Sequence, residues 1–167
     1  MKPPHRDTAE EGTSPGSPFG PRLRPAEARD HRAVAAIVDA AYDRYVAGMG
    51  KKPGPMLDDY ADLISRGRVT VLDSAEGVCG LVVLIPEDEA MLLDNVAVAP
   101  SVHGRGFGRM LIEFAEVAAR RAGYTTIRLY THEIMVENAR LYARLGYVET
   151  GRGVEAGYRR IYMEKSL

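Results

Sequence analysis

Apolar residues recur along the chain with two different spacings, and these spacings predict where helices and strands lie. Between residues 30 and 48 they fall three and four positions apart, which is the spacing of one helical face. The segments 69–72, 78–85 and 91–98 are short apolar runs separated by turn residues, as expected for consecutive antiparallel strands. A second amphipathic stretch, from about Arg105 to Ala122, predicts the main helix.

The remaining pattern completes the picture of one α/β domain. It predicts a strand at 22–25, a short helix at 58–64, a strand at 126–130, a helix at 137–145 and strands at 147–150 and 159–164. This order of elements predicts a mixed, largely antiparallel sheet with helices on both faces. Because a helix connects strands 91–98 and 126–130, these two are expected to lie side by side and parallel.

The first 21 residues differ from the rest in composition. They are rich in proline and glycine, and Phe19 is their only large apolar residue after Met1. Such a segment buries too little apolar surface to offset the entropy lost on ordering. We therefore predict a disordered tail at 1–21 and a single folded domain at 22–167.

Composition narrows the classes of function. The formal net charge is −1, which argues against a dedicated nucleic-acid binder. No apolar run approaches the roughly 20 residues that span a bilayer, and the N-terminus has no apolar signal core, so a cytoplasmic protein without a membrane partner is expected. The lone Cys79 precludes an intramolecular disulfide, and the four histidines are too scattered for a metal site.

The most informative segment is a glycine-rich turn, HGRGFG at residues 103–108, between a predicted strand and the main helix. Glycines permit unusual backbone dihedrals, and the free N–H groups of a helix N-terminus favour an anion such as phosphate. Arg105 and Arg109 add positive charge one helical turn apart. The spacing fits neither the dinucleotide fingerprint nor a Walker loop. A tight packing turn without a ligand is the alternative interpretation of this segment.

Two segments resemble the GNAT superfamily of N-acetyltransferases. Residues 93–98, followed by Pro100 and HGRGFG, are similar to its acetyl-CoA signature Gln/Arg-x-x-Gly-x-Gly/Ala, with His103 where Gln or Arg is usual. Residues 137–147, ENARLYARLGY, are similar to the family's Asn-x-x-Ala/Arg-x-x-Leu-Tyr-x-x-Leu-Gly-Phe/Tyr segment. The resemblance covers residues 22–167. It implies acetyl-CoA as cosubstrate and a strand 91–98 that splays from its neighbour at a bulge.

The resemblance also implies roles for individual residues. Tyr142 would protonate the leaving thiolate, although a half-buried core aromatic is the alternative interpretation. Asp94 would accept the amine proton, and whether Asp94 or a water acts as the base stays open. Strand alternation places Asp94 on the same face as Leu92, Val96 and Val98. The predicted cofactor-binding residues are Val96, Ala97, Val98, His103, Gly104, Arg105, Gly106, Phe107, Gly108, Arg109 and Asn138.

Together these features predict an enzyme that transfers an acetyl group from acetyl-CoA to an amine. Because Cys79 is expected inside a strand away from the motif, direct attack in a ternary complex is favoured over an acyl-enzyme. The acceptor would be a small-molecule or N-terminal amine, with the first two helices and their loop as one wall of its site. A non-catalytic CoA-binding or sensor module and a protein-interaction domain are the alternatives. A homodimer is left open.

Overall fold

The computed structural model describes residues 20–167, so the predicted tail at 1–21 lies almost entirely outside the described residues. Seven strands form one sheet: β1 Arg22–Pro25, β2 Val69–Ser74, β3 Gly77–Pro86, β4 Met91–Val98, β5 Thr126–His132, β6 Val148–Glu155 and β7 Tyr158–Ser166. Their order across the sheet is β1-β2-β3-β4-β5-β7-β6. Only the β4–β5 pair is parallel, and every other pair of neighbours is antiparallel. The predicted fold class is confirmed.

In the described part of the chain four α-helices accompany the sheet: α1 His31–Met49, α2 Tyr60–Ser65, α3 Phe107–Arg121 and α4 Val136–Arg144. Helix α3 begins two residues later than expected because the turn before it is left-handed, with Gly104 at φ 81° and Gly106 at φ 79°. In residues 20–167 no helix combines the length and the apolar character needed to cross a membrane.

The helices cover both faces of the sheet, as predicted. On one face, α1 and α2 bury residues such as Val34 and Val38 against β2 and β3. On the other, α3 buries Leu111, Ile112 and Ala115, each with 1% exposure or less, against β3, β4 and β5. The sheet alone separates the two cores, and β4 contributes side chains to both of them. A change in the path of β4 therefore alters which side chains face each core.

Strand β4 carries a bulge in its middle. Leu93 pairs with Leu84 and Asn95 pairs with Val83, which leaves Asp94 as the extra residue. A bulge of this kind bends its strand and increases the local twist. The parallel pairing of β4 with β5 ends just before it, since only Met91 and Leu92 have partners there. The two strands then separate, as the sequence predicted, and leave an opening between them.

The bulge also reverses the expected alternation of side chains. Val96 and Val98 pack in the core on the α3 side, together with Leu93. Asp94 reaches the opposite side of the sheet, where its carboxylate accepts a hydrogen bond from Tyr130. The prediction that Leu92 and Asp94 share a face with Val96 and Val98 is therefore wrong, because one inserted residue shifts the period of the strand.

A buried polar network fixes the strand immediately after the bulge. Asn95 is 3% exposed, and Tyr42 of α1 donates to its side-chain carbonyl at 2.6 Å. The Asn95 amide donates to the Tyr60 hydroxyl of α2 at 3.0 Å, and that hydroxyl donates to the Pro55 carbonyl at 2.7 Å. Four segments of the chain are thus joined by three hydrogen bonds that little water reaches.

Substituting Tyr42→Phe removes the donor to Asn95 while keeping the ring. We expect a loss of about 1–3 kcal/mol in the free energy of unfolding, because a buried acceptor is left unsatisfied. Urea denaturation measures it. Tyr45→Phe is the control, since its hydroxyl pairs only with Arg44 at the surface and should change stability by less than about 0.5 kcal/mol. Equal effects of the two substitutions would contradict the role assigned to the network.

Candidate active site

Two adjoining cavities lie where β4 and β5 separate. The smaller has a volume of about 140 Å³ and the larger about 440 Å³. Four residues line both of them and so form their common boundary: Tyr42, Val96, Asn138 and Tyr142. A ligand in the larger cavity can therefore approach a ligand in the smaller one at these side chains.

The larger cavity gathers most of the residues that the sequence analysis assigned to a cofactor. Ten of the eleven line it: Val96, Ala97, Val98, His103, Gly104, Gly106, Phe107, Gly108, Arg109 and Asn138. Arg105 does not, and its guanidinium lies 3.7 Å from the carboxylate of Glu76 instead. The structure thus brings these positions together, while their role in binding stays a prediction.

The glycine turn leaves an open cradle at the start of α3. A Cβ added at Gly104, Gly106 or Gly108 would meet no atom within 4 Å. The first turn of α3 contains no acidic residue, and no side chain caps its N-terminus. The first N–H groups of a helix have no acceptor within the helix, so they are free for an anionic ligand. His103 braces this turn, with Nε2 3.1 Å from the Val98 carbonyl oxygen.

Additional basic residues that the sequence analysis missed line the same cavity. Arg44 comes from α1 and Arg144 from the end of α4. Arg44 lies over the ring of Tyr45, 4.7 Å from the ring centroid. Arg44 also lies 3.7 Å from the Glu137 carboxylate, and Arg109 pairs with Glu113 at 2.7 Å. Basic residues on helix surfaces are common, so nothing in the sequence distinguishes these two from solvated side chains.

The smaller cavity is lined by charged and aromatic side chains. Tyr130 donates to an Asp94 carboxylate oxygen at 3.1 Å, and the Arg160 guanidinium lies 4.0 Å from the centroid of the Tyr130 ring. Arg160 itself donates to Glu155 at 2.5 Å. Asp58, which follows the 3-10 turn Gly54–Leu57, is the second carboxylate in this cavity. The cavity can therefore attract, orient and deprotonate a polar ligand.

Burial changes the acid–base properties of these groups. It raises the pKa of Asp94 above its ordinary value, against the opposing effects of the Tyr130 hydrogen bond and of Arg160. Asp58 is more exposed, but partial loss of hydration at its carboxylate, together with the charge of Asp94, raises its pKa to about 6. Burial also raises the pKa of Tyr142 to about 12, so its hydroxyl keeps its proton at neutral pH. Asp94 is thus a better proton acceptor than an ordinary aspartate, and Tyr142 is a potential proton donor.

The two walls of the smaller cavity touch at the surface. Lys51, in the loop after α1, donates to the Ala156 carbonyl at 2.9 Å and lies 3.7 Å from the centroid of the Tyr158 ring. Tyr158 in turn donates to the Lys52 carbonyl at 2.6 Å. These exposed contacts join the segment between α1 and α2 to the β6–β7 hairpin, whose Tyr158 lines the cavity.

The structure places both predicted catalytic residues at the smaller cavity. Asp94 lies at the bulge, and Tyr142 lies on the boundary with the larger cavity, its ring packed edge-on against Tyr147 at 5.8 Å. The sequence analysis missed Tyr130 and Arg160, whose positions become meaningful only when β5 and β7 are paired. Among residues 20–167 there is no group of three or more histidine, cysteine or acidic side chains that could hold a metal ion.

Comparisons with known proteins agree with this architecture. The family model described as "Acetyltransferase (GNAT) domain" matches residues 65–149, which is 85 of the 167 residues. N-alpha-acetyltransferase 80 of Mus musculus is 38% identical over 64 residues, which cover 38% of this chain and 19% of that protein. The chain thus spans about a fifth of the length of the curated relative it matches.

Solved structures share the fold at low sequence identity. The PaiA N-acetyltransferase of Thermoplasma acidophilum, in complex with coenzyme A, matches with a TM-score of 0.75 and 15% identity, covering 89% of this chain and 100% of that one. YncA of Salmonella typhimurium, with its cofactor acetyl-CoA, matches with a TM-score of 0.68 and 20% identity, covering 89% and 94%. The family model covers half of the chain and the fold agrees over most of it, so the protein belongs to the GNAT family of acetyltransferases.

Proposed function

We propose that the protein transfers an acetyl group from acetyl-CoA to an amine within a ternary complex. The observation that carries this proposal is the meeting of two different cavities at Tyr142 and Val96. The larger cavity offers free backbone N–H donors and open space at the start of α3. The smaller cavity offers the Asp94 carboxylate among tyrosine rings. Membership of the GNAT family and the CoA and acetyl-CoA in related structures support the same function.

The larger cavity fits CoA by its chemistry. The open cradle at Gly104, Gly106 and Gly108 suits a pyrophosphate, which needs close approach to backbone N–H groups. Arg44 and Arg144 suit further phosphate charge, and Asn138 suits the amide groups of the pantetheine arm. When bound, acetyl-CoA supplies an activated thioester, and the residues of this chain position it.

The proposed reaction is a direct transfer. The lone pair of the amine attacks the thioester carbonyl carbon, a C–N bond forms, and the C–S bond breaks. Asp94, directly or through a water, takes the proton that the amine loses, and Tyr142 gives a proton to the thiolate. An acyl-enzyme is not favoured, because Cys79 is 4% exposed, lies 3.5 Å from the Leu72 carbonyl and lines neither cavity.

A non-catalytic CoA-binding module is the competing function. Such a module would require the larger cavity, but it would not require the smaller cavity or the Asp94 carboxylate that lines it. Release of CoA from acetyl-CoA in the presence of a panel of primary amines, including N-terminal amines of peptides, separates the two. The N-alpha-acetyltransferase among the relatives supports including the peptides.

Gly108→Glu tests the cofactor assignment. Residue 108 is helical, unlike Gly104 and Gly106 with their positive φ, so a side chain there does not strain the turn and a glutamate favours the helix N-terminus. We expect the domain to stay folded while its affinity for CoA falls by about 100-fold or more, because the carboxylate occupies the phosphate position and repels it. Calorimetry measures the affinity, and circular dichroism monitors folding. Gly108→Gln separates the effect of size from that of charge, and unchanged affinity in both variants would exclude this cradle.

Tyr142→Phe tests the proposed acid. It keeps the ring packing and removes the hydroxyl, so we expect kcat to fall by roughly 100-fold or more with little change in acetyl-CoA affinity. Tyr147→Phe is the matched control, because Tyr147 contacts the Tyr142 ring but lines neither cavity. A wild-type rate for Tyr142→Phe would mean that the thiolate is protonated by solvent.

Tyr130→Phe tests the proposed base through its pH dependence. The Tyr130 hydroxyl stabilises the charged form of Asp94, so its removal raises the Asp94 pKa further. Since the base must be deprotonated, activity falls as the pH drops through this pKa, and the acidic limb should move to higher pH. The assay uses an acceptor amine of low pKa, which stays neutral across the pH range. The Tyr130→Phe substitution is compared with its parent in an Asp58→Asn background, so that the Asp58 carboxylate does not contribute to the acidic limb. An unmoved limb would argue for water as the base without Asp94.

A further inference from the structure

The charged side chains of the smaller cavity differ in how their charges are compensated. Arg160 has Glu155 as an anionic partner, and Asp94 receives a hydrogen bond from Tyr130. The Asp58 carboxylate forms no ion pair or hydrogen bond with another residue in the described part of the chain, 20–167. It is thus the one charged group lining this cavity, within that range, whose charge is left to solvent or to a ligand.

The wall that carries Asp58 is held firmly. Asp58 directly follows the 3-10 turn Gly54–Leu57, and Pro53 before that turn is fully buried. The Pro55 carbonyl within the turn accepts the Tyr60 hydroxyl, which is itself bonded to the buried Asn95. The Asp58 backbone is therefore anchored to β4 beside the cavity that its side chain lines.

The electrostatics of Asp58 favour a cation beside it. Asp58 is exposed as a residue, yet protein atoms around its carboxylate displace part of its hydration. This partial loss of hydration, together with the like charge of Asp94, raises its pKa to about 6. A positive group placed next to Asp58 would relieve both effects. The same cavity is lined by Tyr42 and Tyr142, whose rings can also attract a cation. The rings of Tyr130 and Tyr158 already lie against Arg160 and Lys51.

We propose that the natural acceptor carries a second group, positively charged at neutral pH, that binds to Asp58, besides the amine that is acetylated near Asp94. This inference rests on the proposed acetyl transfer and specifies its substrate class. The shared chemistry is an amine with a neighbouring cation. A free diamine provides it, and so does a peptide whose N-terminal residues include lysine or arginine.

Matched pairs of acceptors test the proposal with the full-length protein. The first pair is 1,5-diaminopentane and pentylamine, and the second is a short peptide with lysine at its second position and the same peptide with norleucine there. We expect kcat/KM to be at least about tenfold higher for the dicationic member of at least one pair, well above the twofold statistical advantage of a symmetrical diamine. The pair that shows the preference identifies the source of the second cation.

Variants assign the preference to Asp58. Asp58→Asn keeps the size of the side chain and should remove the preference, because kcat/KM falls by about tenfold more for the dicationic acceptor than for the monocationic one. Asp58→Glu should restore part of it. Asp43→Asn is the control, because Asp43 is an exposed carboxylate on α1 that does not line the cavity, and it should keep the full preference.

Three outcomes would overturn the proposal. The first is an equal kcat/KM for both members of each pair in the wild-type protein. The second is an equal loss for both members in Asp58→Asn, and the third is a preference for acceptors with a neighbouring carboxylate, which would point to Arg160 instead. If monocationic amines are acetylated without any preference, only this inference fails. If no amine is acetylated, the proposed function fails with it.

Discussion

The active-site architecture depends on one inserted residue in β4. The bulge at Asp94 ends the pairing with β5, turns Asp94 away from the core on the α3 side, and brings Asn95 under α1 and α2. Without it, β4 would run flush against β5 and fill the space that both cavities occupy. The two hydrogen bonds of Asn95, extended by the bond from Tyr60 to Pro55, hold the strand in this bent state.

The two sides of this opening differ in how they are supported. The glycine turn begins a helix whose Leu111, Ile112 and Ala115 are almost completely buried, so its backbone donors are held by the core itself. The opposite wall is held by Asn95 at its base and by exposed contacts at its rim. Under the proposed acetyl transfer, the constant cosubstrate would bind to the side held by the core, and acceptor recognition would fall to the segments between elements.

The sequence was sufficient for the parts of the site that depend on local pattern. The fold class, the parallel β4–β5 pair and the glycine turn followed from apolar periodicity, from the connecting helix and from the spacing of glycines. The reversed faces of β4 did not, because the resemblance implied a bulge in this strand but the residue types of Asp94 and Asn95 do not show which residue is inserted. Asp58, Tyr130 and Arg160 come together only through tertiary packing, so no local signal in the sequence connected them.

The contacts between Lys51, Lys52 and the β6–β7 hairpin have a consequence for how this protein can change. Both hydrogen bonds are exposed, and in both the acceptor is a main-chain carbonyl. Exposed polar contacts typically contribute less than about 1 kcal/mol each to stability. Residues at this rim can therefore be replaced at little cost in stability, while the bulge and the helix beneath stay intact. The rim is the region of the molecule where new acceptor preferences could arise by few mutations, without a compensating change in the core.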